Sequence, residues 1–181
     1  VNAAKRFTTL HPGHKDAPYD YYLIALSEYE RIADVRRDQR QTEKAVEALE
    51  EIARRYPDTP YAADAKQKAK LGYDRLAAKE MDIGRYYVKQ GDYLAGINRF
   101  KKVIIDYQQT TQTPEALYRL TEAYMALGIV SEAQTAAAVL GQNYPNSEWY
   151  KDAYQLVTTD GKQPVASESS WIVKAFRSVT G

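Results

Sequence analysis

With 181 residues, 44% of them hydrophobic and 27% charged, the chain is long enough for one or two domains with a sizeable core. Twenty-five Lys and Arg against twenty-four Asp and Glu leave a net charge of +1, without the basic excess of a dedicated nucleic-acid binder. The absence of cysteine excludes disulfides, thiolate metal sites and a cysteine nucleophile, and it fits either an oxidising or a reducing compartment.

Taken in chain order, the elements are punctuated in one recurring way. An apolar residue is followed five positions later by proline or a stand-in at Phe7 to Pro12, Ile52 to Pro57, Val103 to Gln108 and Leu140 to Pro145. Each lies at the end of a helix-like run; residues 44–53, KAVEALEEIA, carry apolar side chains at three- and four-residue steps. Proline stops such a helix because it lacks the N–H and restricts the residue before it. Asp58 and Thr59, the segment from Thr111 to Thr113, and Asn146 and Ser147 then offer oxygens to cap the next helix.

The unequal spacing of these stops fits a helical-hairpin repeat of roughly 34 residues with insertions. Ile83, Gly84, Tyr87, Gly96, Phe100 and Gln108 fall at the tetratricopeptide spacing, in which a small residue lets paired helices approach and an aromatic fills the gap. Leu117, Leu120, Tyr124, Ala133, Ala137 and Pro145 repeat it, and so do Tyr29, Ile32, Ala33, Ala45, Leu49 and Pro57, with Arg36 in place of an aromatic. The fold expected is therefore all-α: tetratricopeptide-type hairpins stacked in a right-handed superhelix, an α-solenoid.

Residues 1–11 are expected to be the second helix of a truncated repeat, and the N-terminal VNAAKRF is neither a signal peptide nor a transit sequence. Residues 12–57 form a repeat with an inserted polar loop at 33–41. Residues 58–108 form a repeat whose first helix is extended, because 61–90 contain no proline and read as one long helix or two nearly continuous ones. Residues 109–157 form the last repeat and a capping helix. Residues 158–181 are a linker and a short amphipathic tail helix. The linker, rich in Ser, Pro and Gly, is expected to be flexible and to uncouple the tail from the stability of the repeats. The tail presents Ile172, Ala175, Phe176 and Val179 as one stripe. Trp171, Ile172 and Phe176 are its expected docking residues, toward its own last repeat, a partner groove or a membrane surface, with Lys174 and Arg177 on the polar side.

The run DRLAAKEMDIGRYYVKQGDY at 74–93, continued by Ile97, Asn98, Arg99 and Phe100 and ending at Asp106 and Tyr107, resembles the C-terminal half of the BamD/ComL family of outer-membrane assembly lipoproteins. The segments RRYPDTPYAADA at 54–65 and His11 to Tyr21 resemble it as well, so the similarity covers roughly residues 2–157. The resemblance implies a scaffold of the β-barrel assembly machinery at the periplasmic face of the outer membrane, lipid-anchored through an N-terminal cysteine. The family carries about five repeats, of which this chain would hold the last three and a helix of the one before. Implied partners are the periplasmic domains of the barrel-forming subunit, other assembly lipoproteins and, as a further candidate, unfolded outer-membrane protein substrates.

Within that resemblance the Asn-Arg pair at 98 and 99 faces the periplasmic domain of the barrel subunit nearest the membrane. Arg99 stands one helical step from the core residue Phe100, where it serves either an intramolecular ion pair or a partner carboxylate. Tyr86, Lys89, Gln90 and Asp92 complete the expected partner-binding set; Gln90 stands where relatives carry a basic residue, and Gln108 replaces the turn proline.

The remaining chemistry points away from catalysis. His11 and His14 form a two-imidazole turn, read as solvated or helix-capping, because a zinc site needs further ligands. Neither G-x-S-x-G nor G-x-x-x-x-G-K-[ST] occurs, and carboxylate pairs such as Glu50 and Glu51 suit a solvated helix face. No enzyme activity, cofactor, metal or nucleic acid is expected. Of sixteen tyrosines most fall at core or helix-end positions, and in the doublets Tyr21-Tyr22 and Tyr86-Tyr87 one ring should point off the core. The basic set Arg36, Arg37 and Arg40 reads as a solvated loop, with contact to an acidic partner surface as the alternative. The alternative to a scaffold is a tetratricopeptide adaptor that captures extended peptides for a chaperone or secretion system.

Overall fold

The computed structural model describes residues 2–11, 13–30, 39–159 and 161–180. Among these all regular secondary structure is helical: α1 (Asn2–Leu10), α2 (Ala17–Glu30), α3 (Gln39–Arg55), α4 (Pro60–Lys89), α5 (Tyr93–Asp106), α6 (Thr113–Ala126), α7 (Val130–Asn143), α8 (Glu148–Thr159) and α9 (Trp171–Thr180). Helices adjacent in sequence pack as pairs, the arrangement of a tetratricopeptide-like helical repeat. Two compact units result, residues 1–76 and 77–181, with the boundary inside α4.

In the first unit α3 buries Ala45, Val46, Leu49 and Ile52, the stripe that its apolar period marks out. These side chains meet Ala25 of α2 and Ala65 and Ala69 of α4, and tyrosines close the rim. Tyr21 stacks on Tyr56 with ring centroids 6.1 Å apart, and Tyr22 stacks on Tyr61 at 5.4 Å. Both members of this doublet therefore pack on the core, contrary to the expectation that one ring points away: α2 has neighbours on two sides, and each ring reaches a different one. The Tyr22 hydroxyl also donates a short hydrogen bond to Asp64, whose other carboxylate oxygen receives Lys68 Nζ at 3.1 Å. Burial, then the Asp64 hydrogen bond, pushes the Tyr22 hydroxyl up to about 12, and the same bond holds Asp64 below the usual carboxylate range.

The polar loop expected at 33–41 falls mostly outside the described residues, and its end at 39–41 already belongs to α3. Arg36 and Arg37 of the basic set also lie outside the described residues, while Arg40 is exposed on α3.

In the second unit α4 and α5 approach closely at Gly84. A Cβ there would lie 2.4 Å from Phe100 Cε1, so the aromatic fills the space that the missing side chain leaves. Helices α4 and α6 end alike. Gly91 (φ 78°) and Gly128 (φ 72°) take the left-handed conformation, Asp92 N–H returns to Tyr87 C=O at 2.9 Å, and Ile129 N–H returns to Tyr124 C=O at 2.9 Å. These are Schellman closures, which satisfy carbonyls the helix end would leave unpaired.

Helix starts are less uniform than the sequence suggests. Thr59 Oγ1 accepts from Ala62 N–H at 3.3 Å at the start of α4. At α6 the N-cap position is Gln112, with no side-chain cap bond, and not a threonine. Pro114 in the first turn lacks one of the N–H groups a cap would serve. The Thr113 hydroxyl instead donates 2.7 Å to Gln108 C=O and pins the preceding turn.

Candidate partner-binding surface

The α4–α5 turn of the second unit gathers most of the expected partner-binding residues. Tyr86 is 61% exposed and meets Tyr87 edge-on, with centroids 5.9 Å apart. One ring of this doublet thus does point outward. Lys89 and Gln90 are exposed just beyond it. Asp92 has a local task, accepting from Ala95 N–H at 3.0 Å as the N-cap of α5. Leu94, absent from the sequence-based set, is 62% exposed on the first turn of α5. A large aliphatic side chain in solvent on an otherwise amphipathic helix is the signal that would have found it.

Arg99 is committed within the chain. Its Nη1 lies 3.1 Å from Glu80 Oε2; the Glu80 side chain is 3% exposed, while that of Arg99 is 40% exposed. A guanidinium has five donors, and the exposed side of Arg99 looks onto a shallow depression lined by Tyr87, Ala95, Asn98 and Lys102. Lys102 is held above its usual range mainly by its hydrogen bond to Asp106, 2.6 Å away.

The face shared by α4 and α6 carries a continuous ion-pair chain. Arg85 reaches Asp82 at 2.6 Å and both oxygens of Glu115 at 2.9 and 2.8 Å. Arg119 reaches Glu115 at 3.3 Å and Glu122 at 2.9 Å, and its guanidinium lies over the rings of Tyr118 and Trp149. Burial opposes the charge on both arginines, but their carboxylate partners outweigh it and hold both above the usual value.

The tail residues lie elsewhere in this unit, where α9 packs on α5 and α7. Ile172 is fully buried, Phe176 is half-buried, and the Trp171 indole N–H donates to the Tyr124 hydroxyl at 3.0 Å. The segment before α9 differs from the expected flexible linker. Gln134 Nε2 donates to Gln163 C=O at 2.7 Å, and Ser167 N–H donates to Thr135 Oγ1 at 3.1 Å, so the chain runs along α7. Polar residues read as loop because they match solvent; here they match the polar groups of a helix.

The turn at His11 and His14 also has a local explanation. Both rings pack on Phe7 at 5.3 Å, and His14 Nδ1 accepts from Asp16 N–H at 3.2 Å. Among the described residues no cluster of three or more His, Asp or Glu side chains is arranged to hold a metal, and no helix is long and apolar enough to cross a membrane.

The chain is 49% identical over 164 residues to the outer membrane protein assembly factor BamD of Caulobacter vibrioides, covering 91% of this chain and 54% of that protein. It is 48% identical over 157 residues to the BamD of Rickettsia prowazekii, covering 87% and 62%, and 36% identical over 163 residues to that of Neisseria meningitidis, covering 84% and 61%. The chain thus spans between about half and three-fifths of the length of these relatives. The family model described as YfiO, outer membrane lipoprotein, matches residues 1–140, and the chain belongs to that family.

Proposed function

We propose that the chain is a non-catalytic scaffold segment of the machinery that assembles β-barrel proteins in the outer membrane. In this reading it works at the periplasmic face, in a full-length protein tethered by lipid. It docks the periplasmic domains of the barrel-forming subunit, with other assembly lipoproteins and unfolded substrates as further partners. The relatives' name, outer membrane protein assembly factor, supports the process. The observation that carries the docking surface is the exposure of Tyr86 and Leu94 on the two sides of the α4–α5 turn, with the partly exposed Arg99 further along α5. An exposed aromatic and an exposed aliphatic side chain, with a partly exposed guanidinium on the same hairpin, are the residue types of an interface centre and its charged rim.

Peptide capture is the weaker reading, because the α4–α6 face that would line a groove is occupied by the Arg85–Glu115–Arg119–Glu122 pairs. The test is a titration of Tyr86→Ala and Leu94→Ser chains with the periplasmic domains of the barrel subunit from the same organism. Both side chains are solvent-exposed, so melting temperatures should stay within a degree or two of the unmodified chain. Binding should weaken at least about tenfold if these are anchors. Undiminished binding by both variants would remove this surface from the interface.

A further inference from the structure

The tail helix lies beyond residue 140, where the family match ends, and its seat is built from groups with no part in the α4–α5 turn. It rests on α5 and α7. At its first turn the Ser170 hydroxyl donates to Glu132 at 2.7 Å and accepts from Ile172 N–H at 3.2 Å. Trp171 donates to the Tyr124 hydroxyl, and Lys101 Nζ sits 4.9 Å above the indole centroid. Ile172 and Val173 are buried behind it. The groove therefore reads four successive positions: a hydroxyl, an indole and two aliphatics.

Beyond those positions the fit loosens. Lys174, Arg177 and Ser178 are exposed. Ile105 of α5 remains 54% exposed beside an open cleft that it shares with Lys101, Trp171, Lys174, Ala175 and Ser178. An open cleft thus runs along one side of α9, between it and α5. A helix of ten residues is marginal in water without a partner, so α9 depends on docking for its helicity. Its short tether supplies an effective concentration on the order of millimolar, enough to keep a groove of modest intrinsic affinity occupied.

We infer that the groove between α5 and α7 is a docking site for an amphipathic helix presenting hydroxyl, indole and aliphatic side chains in succession, and that Ser170–Phe176 occupy it in cis as a displaceable strap. The inference does not depend on the role in barrel assembly. A partner helix of this chemistry gains the groove only by outcompeting the tethered one, so strap release and partner binding are the same event.

The probe is a fluorescein-labelled peptide of residues 165–181, titrated by anisotropy into the full chain and into a full chain with Trp171→Ala and Ile172→Asp. Those changes release the strap and leave Tyr124, Glu132 and Lys101 intact. The released chain should bind one peptide saturably, and the unmodified chain at least about tenfold more weakly, because the strap competes. Adding Tyr124→Phe to the released chain should weaken binding by roughly fivefold, the loss of one hydrogen bond. No binding by a released chain whose helical circular dichroism is intact, or equal binding by both chains, overturns the inference. If the released chain unfolds, hydrogen exchange on the unmodified chain decides. Amides of α9 exchanging at least about tenfold faster than those of α5 and α7 support a strap, and equal rates make α9 a permanent cap. Sedimentation showing a dimer with exchanged tails would give the seat to a second copy and overturn the cis assignment.

Discussion

Arg99 and Glu80 form an ion pair between α5 and α4 in which the acid is buried and the base half-exposed. The charge therefore serves the hairpin before it serves any partner. Charge reversal at Arg99 takes the guanidinium away from the buried Glu80 and places a second carboxylate beside it. The expected cost of Arg99→Glu is about 1–3 kcal/mol, below that of a fully buried pair because Arg99 remains partly solvated. Arg99→Lys should cost less, since the charge stays while the planar fork is lost. Urea denaturation of the two variants checks this; a loss of under about 0.5 kcal/mol for the reversal would show that the pair contributes nothing to the fold. Binding data on Arg99 variants have to be read against that stability change, which is why Tyr86 and Leu94 are the cleaner probes.

The contact between Gly84 and Phe100 gives a prediction that opposes helix propensity. Alanine in place of a mid-helix glycine gains up to about 1 kcal/mol of intrinsic helix preference. At this position its Cβ would stand 2.4 Å from one carbon of a fully buried ring and 2.8 Å from the next. Overpacking of this kind costs about 1–3 kcal/mol. Gly84→Ala should thus be net destabilising, and Phe100→Leu in the same chain should recover part of the loss. A chemical midpoint at or above that of the unmodified chain would mean that the two helices separate without penalty.

The Tyr22–Asp64 bond sets the response of the first unit to pH. The folded-state pKa of Tyr22 is raised to about 12, so the stability it contributes is complete below the unfolded value near 10 and is lost as the pH rises from 10 to 12. Asp64 is lowered, so its contribution is present above the usual carboxylate range and is lost as the pH falls below it. Tyr22→Phe should cost about 1 kcal/mol at neutral pH, and the difference from the unmodified chain should shrink at both extremes. A stability difference that stays constant from pH 3 to 12 would show that the bond carries no such linkage.

How far the sequence revealed all this depends on what each residue's signal encodes. The hairpins were readable because small residues, aromatics and helix stops recur at fixed spacing, as with Gly84 against Phe100 and the paired endings at Tyr87 and Tyr124. Spacing says where a helix turns its apolar side; it says nothing of how many neighbours cover that helix, which is why Tyr21 and Tyr22 both pack. Glu80 gave no sign of burial, since a glutamate in a charged helix reads as solvated until its partner is known. The stripe of α9 was visible, but a stripe does not name what lies against it. Glu132 and the Tyr124 hydroxyl supply that answer from far along the chain.

The turn after α5 lacks the proline found in its two counterparts. Three turns share one hydrogen-bond pattern: Tyr56, Tyr107 and Tyr144 each donate back to the residue four earlier, and each carbonyl accepts from the residue three later. Proline follows the tyrosine in two of them and Gln108 in the third. Tyr107 has φ −131° and ψ 32°, close to the φ −136° and ψ 55° at which Tyr144 precedes Pro145. The Tyr107 backbone thus lies near one that a proline follows in the same turn at Tyr144. The N–H groups of Tyr107, Thr110 and Thr113 make the turn's hydrogen bonds, so proline at 108 removes none of them. Gln108 also buries its Nε2 without a hydrogen-bond partner, a cost that the substitution relieves. Gln108→Pro should therefore stabilise by about 0.5–1 kcal/mol through reduced freedom of the unfolded chain, with relief of the buried amide adding to it. For a chain of this size that raises the melting temperature by roughly 1–4 °C. Differential scanning calorimetry reads it directly: a lowered midpoint would mean that the Gln108 side chain holds the turn in a way its hydrogen bonds do not reveal.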